Sequence, residues 1–178
     1  SNSFARASRT LKFFTKGGLV MCKRPDLEKV GSIILMGGEG SRMLTSVPKP
    51  FAYIKPGITP VGNICAQLEG AGFEYADIYG VITTALQAGL CKERVKKVPS
   101  GNILKYEKGY GYVGNMGNSS HGAAELGNVE YAFIVPGDAY FENTEKFIET
   151  VHKMVSVTRK TGQATLAGVP TGDAQAMT

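Results

Sequence analysis

"VGSIILMGG", residues 30–38, is a short, unbroken apolar run closed by two glycines. A strand with one solvated face alternates apolar and polar residues; an uninterrupted run belongs to a strand buried on both faces, as in parallel sheets covered by helices. What lies on either side of this run decides whether it stands in such a sheet. Downstream, "TPVGNICAQLEGAGF" (59–73) places Val61, Ile64, Cys65 and Leu68 at helical spacing, with Gly70 and Gly72 to stop the helix. "ADIYGVITTA" (76–85) reads as a second strand, and "LQAGLCKERVKKV" (86–98) as a helix with a solvated basic face.

The alternation continues. In residues 101–127 the first part reads as a strand and the glycine-rich centre as loop, while "SSHGAAELG" opens a short helix capped by Ser119 or Ser120. "VEYAFIVPGDAYF" (129–141) is a third buried strand ending in Pro-Gly-Asp. "TEKFIETVHKMVSVTRKTG" (144–162) is the clearest helix, with Phe147, Ile148, Val151, Met154, Val155 and Thr158 on one face, Thr144 as cap and Gly162 as stop. "QATLAGVP" (163–170) reads as a fourth strand. This order predicts an α/β fold with a doubly wound, mainly parallel sheet, in which ligands bind outside the carboxyl ends of the strands.

Composition bounds the rest. The chain has 178 residues, 43% of them hydrophobic, which suits one domain with a sizeable core. Its formal charge of +5 is carried by the first 24 residues, which hold Arg6, Arg9, Lys12, Lys16, Lys23 and Arg24 and no acid. The body is therefore close to neutral and has little electrostatic support for binding nucleic acid. Residues 1–30 form a basic arm readable as a tag remnant, a tail or an organelle-targeting segment, and 31–178 form the domain. No apolar run approaches the roughly 18 residues of a membrane span, so no transmembrane helix is expected, and the cysteine usage points to a reducing, cytoplasmic compartment. Cys22, Cys65 and Cys91 are odd in number and widely spaced, which suggests neither a disulfide framework nor a zinc site.

Three kinds of glycine loop after a first strand cradle phosphate with backbone N–H groups. A P-loop needs GxxxxGK(S/T), but Gly40 is followed by Ser41 and Arg42. A dinucleotide fingerprint needs GxGxxG, but Met43 stands at the third glycine. The third kind fits. Gly37, Gly38, Gly40, Ser41 and Arg42, a five-residue gap, then Pro48 and Lys49 closely resemble the GGxGxR…PK pattern of sugar-phosphate nucleotidyltransferases. Met36 departs from that pattern, standing where most relatives have a small residue. "GNSSHGAAELG" (117–127) is similar to the segment that holds the base or substrate in that family, and "YAFIVPGDAYF" (131–141) to the strand whose aspartate binds magnesium.

The resemblance covers roughly residues 31–170. It implies a Rossmann-like, glycosyltransferase-A-like fold and a Mg2+-dependent transfer from a nucleoside triphosphate to a sugar 1-phosphate or similar phosphomonoester. Arg42 and Lys49 would carry the catalysis. Gly37, Gly38, Gly40, Ser41, Gly117, Asn118 and Ser119 would bind the nucleotide, and Asp138 the metal. The residue types suit the reaction: a forked guanidinium and an ammonium compensate the triphosphate's charge, and a carboxylate is the hard ligand magnesium prefers.

Relatives continue beyond "AGVPTGDAQAMT", so a domain truncated on its C-terminal side is expected. Two other functions stay open: a catalytically silent nucleotide or sugar-nucleotide sensor, and a guanylyltransferase acting on a cofactor precursor. The body is expected to bind neither nucleic acid nor membrane, and homo-oligomerisation is compatible with the sequence. His121 and the tyrosines of "YEKGYGY" (106–112) read more simply as packing or surface residues than as ligand contacts.

Overall fold

The computed structural model describes residues 11–15, 18–22, 27–38, 46–106, 117 and 129–167, the first two segments through their backbone alone. Part of the basic arm is a hairpin: β1 (Leu11–Thr15) pairs antiparallel with β2 (Gly18–Cys22). The hairpin lies within residues 1–30, the arm readable as a tag remnant, a tail or a targeting segment.

The body is built on a four-stranded, all-parallel sheet of β3 (Val30–Leu35), β4 (Ile78–Ile82), β5 (Ile103–Lys105) and β6 (Tyr131–Pro136), in the spatial order β5-β4-β3-β6. Helices α1 (Pro60–Ala71), α2 (Ala85–Arg94) and α3 (Thr144–Thr161) complete an α/β fold. Every residue of β4 is buried, as are the first five of β3, which fits the continuous apolar runs that encode them.

Helix ends follow local chemistry. The Thr59 hydroxyl accepts the Gly62 N–H at 3.1 Å, Pro60 occupies the first turn, and Gly72 ends α1 with a φ of 106°. In α3 the cap is Asn143, whose Oδ1 accepts the Lys146 N–H at 2.9 Å, one residue before the expected Thr144. The Thr144 hydroxyl instead accepts from Gln67 of α1 at 3.1 Å. That tertiary bond is what sequence spacing could not register.

Each of these three helices feeds one core cluster. Val61, Ile64 and Leu68 of α1, Cys91 of α2, and Phe147, Ile148, Val151 and Val155 of α3 pack with Val30, Ile34, Ile78, Ile82 and Val135 of the sheet. Ile33, Tyr79 and Val81 point to the opposite face and are equally buried, meeting Leu35, Tyr106, Val129 and Ile134. The doubly wound arrangement expected from the sequence puts helices on both faces; the described helices lie against one. Met36, the residue out of pattern, is buried because Gly80 leaves room for its terminal methyl.

Two expected strands differ. β6 is not buried along its length: Ala132 is exposed and Tyr131 and Phe133 half-buried, because among the described residues β6 pairs only with β3. Gln163–Ala167 of the expected fourth strand is irregular, and residues 168–170 lie outside the described residues. The expected loop and short helix of 107–128 also lie outside them, apart from Gly117. Among the described residues no helix is long and apolar enough to cross a membrane.

Candidate functional site at the β3 and β6 carboxyl ends

From β3 the chain moves outward in one direction to β4 and β5, then returns to place β6 on the other flank of β3. The order reverses between β3 and β6, and such reversals open a crevice at the carboxyl ends of the strands. Leu35 pairs with Pro136 at that edge, and the Gly137 N–H donates to the Leu35 carbonyl at 2.8 Å. The loop that starts at Gly37 and the turn that carries Asp138 thus leave adjacent strands at the same level. Gly137 is required there, since a Cβ would lie 2.6 Å from the Leu35 carbonyl oxygen.

Asp138 is exposed in the Pro136–Ala139 turn, closed by Ala139 N–H to Pro136 C=O at 3.2 Å. Among the described residues its carboxylate has no hydrogen-bond or ion-pair partner. Behind it the chain is clamped to α1. Asn63 Nδ2 donates to the Phe141 carbonyl at 3.2 Å, and the Phe141 N–H donates to Asn63 Oδ1 at 3.0 Å. Gln67 Nε2 adds a bond to the same carbonyl at 3.1 Å. Phe141 also packs on Phe147 of α3, ring centroids 4.6 Å apart.

Lys49 opens a single 3-10 turn, Lys49–Phe51, between buried Pro48 and Pro50, with Phe51 wholly buried against α1. Its apolar neighbours are anchored, so the half-exposed ammonium is held by its backbone and, among the described residues, pairs with no carboxylate. Arg94 tightens this turn by donating to the Phe51 carbonyl, and its guanidinium sits 4.5 Å from the Tyr53 ring centroid. "KERVKK" is thus not the uniformly solvated helix face expected. Helix α2 ends at Arg94, Val95 enters the core, and Lys97 reaches the Glu69 carboxylate at 3.3 Å.

Gly37 and Gly38 lie just past β3 as expected. Gly38 is exposed, with nothing within 4 Å of where a Cβ would be. Gly117 is also exposed with open space around it, so no close approach demands glycine there. Gly40, Ser41, Arg42, Asn118, Ser119 and His121 lie outside the described residues. Among the described residues no group of three or more His, Cys, Asp or Glu converges as a metal site, leaving Asp138 as a single hard donor.

Several residues of this edge were missed in the sequence. Lys55 donates to the Tyr140 hydroxyl at 3.2 Å and lies 3.8 Å from Glu142, beside the Asp138 turn. The hydrogen bond to Tyr140 raises its pKa, with nearby Glu142 adding to the effect. The only signal for Asn63 and Gln67 was two amides four residues apart on a helix whose other inward residues are apolar. Thr84 and Gln87 had a clearer one, the T-x-x-Q spacing of a capping box.

The chain matches no protein-family model and no curated protein. The functional reading therefore rests on residues and geometry.

Proposed function

We propose that the protein is a magnesium-dependent nucleotidyltransferase that joins a nucleoside triphosphate to a sugar 1-phosphate or similar phosphomonoester and releases pyrophosphate. One observation carries the reading: the Gly37–Gly38 turn and Asp138 leave adjacent parallel strands at the point where strand order reverses.

Lys49 and Arg42 bind the triphosphate oxygens, Arg42 through its two-pronged guanidinium and Lys49 as a point charge. Backbone N–H groups of the glycine turn add donors. An oxygen of the phosphomonoester attacks the α-phosphorus; the bond from that phosphorus to the bridging oxygen breaks, and pyrophosphate leaves with the electron pair. The attacking oxygen is already anionic at neutral pH, so no general base is required. The Asp138 carboxylate, unpaired among the described residues, fits magnesium, which is commonly held by one or two carboxylates together with phosphates and waters. When bound, the metal supplies compensation for the charge that builds on the transferring and departing phosphates.

The test is a panel of the four ribonucleoside triphosphates against hexose 1-phosphates, with pyrophosphate release followed in the presence of magnesium and of EDTA. Magnesium-dependent release with one triphosphate is expected, with kcat/KM about ten- to a hundred-fold lower in Arg42→Ala and Asp138→Asn, the range for losing a charged hydrogen-bonding partner. Triphosphate binding without release would turn the reading toward a silent sensor. GTP preference without sugar-phosphate turnover would turn it toward a cofactor guanylyltransferase, and no binding at all would overturn it.

A further inference from the structure

The corner between β4 and α2 contains more polar bonding than a helix start requires. A capping box needs Thr84 and Gln87 alone, and both bonds are present: Gln87 N–H to Thr84 Oγ1 at 3.2 Å and Thr84 N–H to Gln87 Oε1 at 3.1 Å. Gln87 Oε1 also accepts the Thr83 N–H at 2.8 Å, and the Thr83 hydroxyl donates across to the Gly37 carbonyl at 3.0 Å. Gln87 is fully buried, and among the described residues its Nε2 has no acceptor. An aliphatic side chain would fill that volume without the cost of burying unpaired N–H groups. The amide is therefore explained by its oxygen, which orders Thr83 and Thr84.

What Thr83 holds matters for the crevice. The carbonyl of Gly37 and the N–H of Gly38 belong to one planar trans peptide and point in opposite directions. β3 lies between β4 and β6, and the Gly37 carbonyl is tied to Thr83, just past β4. The Gly38 N–H accordingly points away from the Thr83 hydroxyl. Among the described residues that N–H has no acceptor.

We infer that Thr83 is a positioning residue: its hydroxyl sets the Gly37–Gly38 peptide so that the Gly38 N–H is a ready donor to a phosphate oxygen in the β3/β6 crevice. This rests on the nucleotidyltransferase reading and names a residue that the glycine pattern does not include. Thr83 also supplies a second constraint, since its methyl lies 2.9 Å from where a Gly37 Cβ would be. Hydroxyl and methyl are therefore separable by substitution.

Thr83→Val keeps the packing and removes the donor; Thr83→Ser keeps the donor and removes the methyl. ATP, GTP, CTP and UTP, each with magnesium chloride, are titrated calorimetrically into wild type and both variants. For the triphosphate that wild type binds, Kd rises about three- to ten-fold in Thr83→Val, the equivalent of one hydrogen bond, and stays within about two-fold of wild type in Thr83→Ser. KM for the phosphomonoester is unchanged in both.

Equal weakening in the two variants, or none in Thr83→Val, overturns the role of Thr83 and leaves the reaction assignment standing. A wild-type protein that binds none of the four overturns both. Should Thr83→Val fail to fold, the wild-type Gly38 amide decides by NMR: a downfield shift on adding the magnesium triphosphate supports the inference, and an unmoved resonance refutes it.

Discussion

Replacing Gly137 with alanine tests the crevice at the contact on which its geometry depends. The new Cβ would lie 2.6 Å from the Leu35 carbonyl oxygen, 3.1 Å from its carbon and 3.1 Å from Met36 Cγ. The first two are backbone atoms inside a paired strand, so no side-chain rotation relieves the overlap. Moving the β6 end outward to an ordinary carbon–oxygen contact, roughly 3.3 Å or more, lengthens the 2.8 Å Gly137–Leu35 hydrogen bond toward its limit.

Losing that bond costs about 1 to 3 kcal/mol and the forced shift about as much again. The gain from a stiffer unfolded chain returns only about 0.4 to 1 kcal/mol. A net loss of about 1 to 5.5 kcal/mol follows, or roughly 2 to 22 °C in Tm for a chain of this size. Urea and thermal unfolding measure it, with Gly38→Ala as the control. That position has open space and should stay within about 0.5 kcal/mol of wild type, or gain slightly. A Gly137→Ala variant as stable as the control would refute the close approach of β6 to β3, and with it the shared edge of Gly37 and Asp138.

Two further outcomes are expected. Asn63→Leu removes the paired bonds to Phe141 and should cost about 1 to 3 kcal/mol in urea unfolding; a loss below about 0.3 kcal/mol would mean that Gln67 alone holds the Asp138 segment. Burial pushes the Cys65 and Cys91 thiols from 9.0 up to about 12. The folded protein keeps protons that the unfolded chain releases above pH 9, so this stability is intact below pH 9 and declines as pH rises toward 12. The slope is up to about 1.4 kcal/mol per pH unit for each thiol, and unfolding series above pH 9 should show a shallower decline in Cys91→Ala. An identical slope in the variant would refute that origin.

The long helix and the buried strands were legible because their evidence is local. The spacing of Phe147, Ile148, Val151 and Val155 marks one face of α3, and Gly162, with its φ of 68°, closes it. The same local reading misplaced the cap by one residue and took Arg94 for a solvated cation, because Gln67 and the Phe51 carbonyl come from distant parts of the chain. It took β6 for a buried strand since its apolar run resembles that of β4; the number of strand neighbours is not written in either run.

Residue type and short-range spacing thus carried the class of fold, the presence and C-terminal stops of α1 and α3, and the candidate chemistry of Gly37, Gly38, Lys49 and Asp138, because each depends on neighbours within a few positions. Strand order and the polar connections at the sheet edge depend on groups about 40 to 100 residues apart, where chain sequence imposes no register and packing chooses the partner. That is why Asp138 could be named from a Gly-Asp turn, while its place beside the Gly37 loop, and the hold of Thr83 on that loop, emerged only once β6 was set against β3.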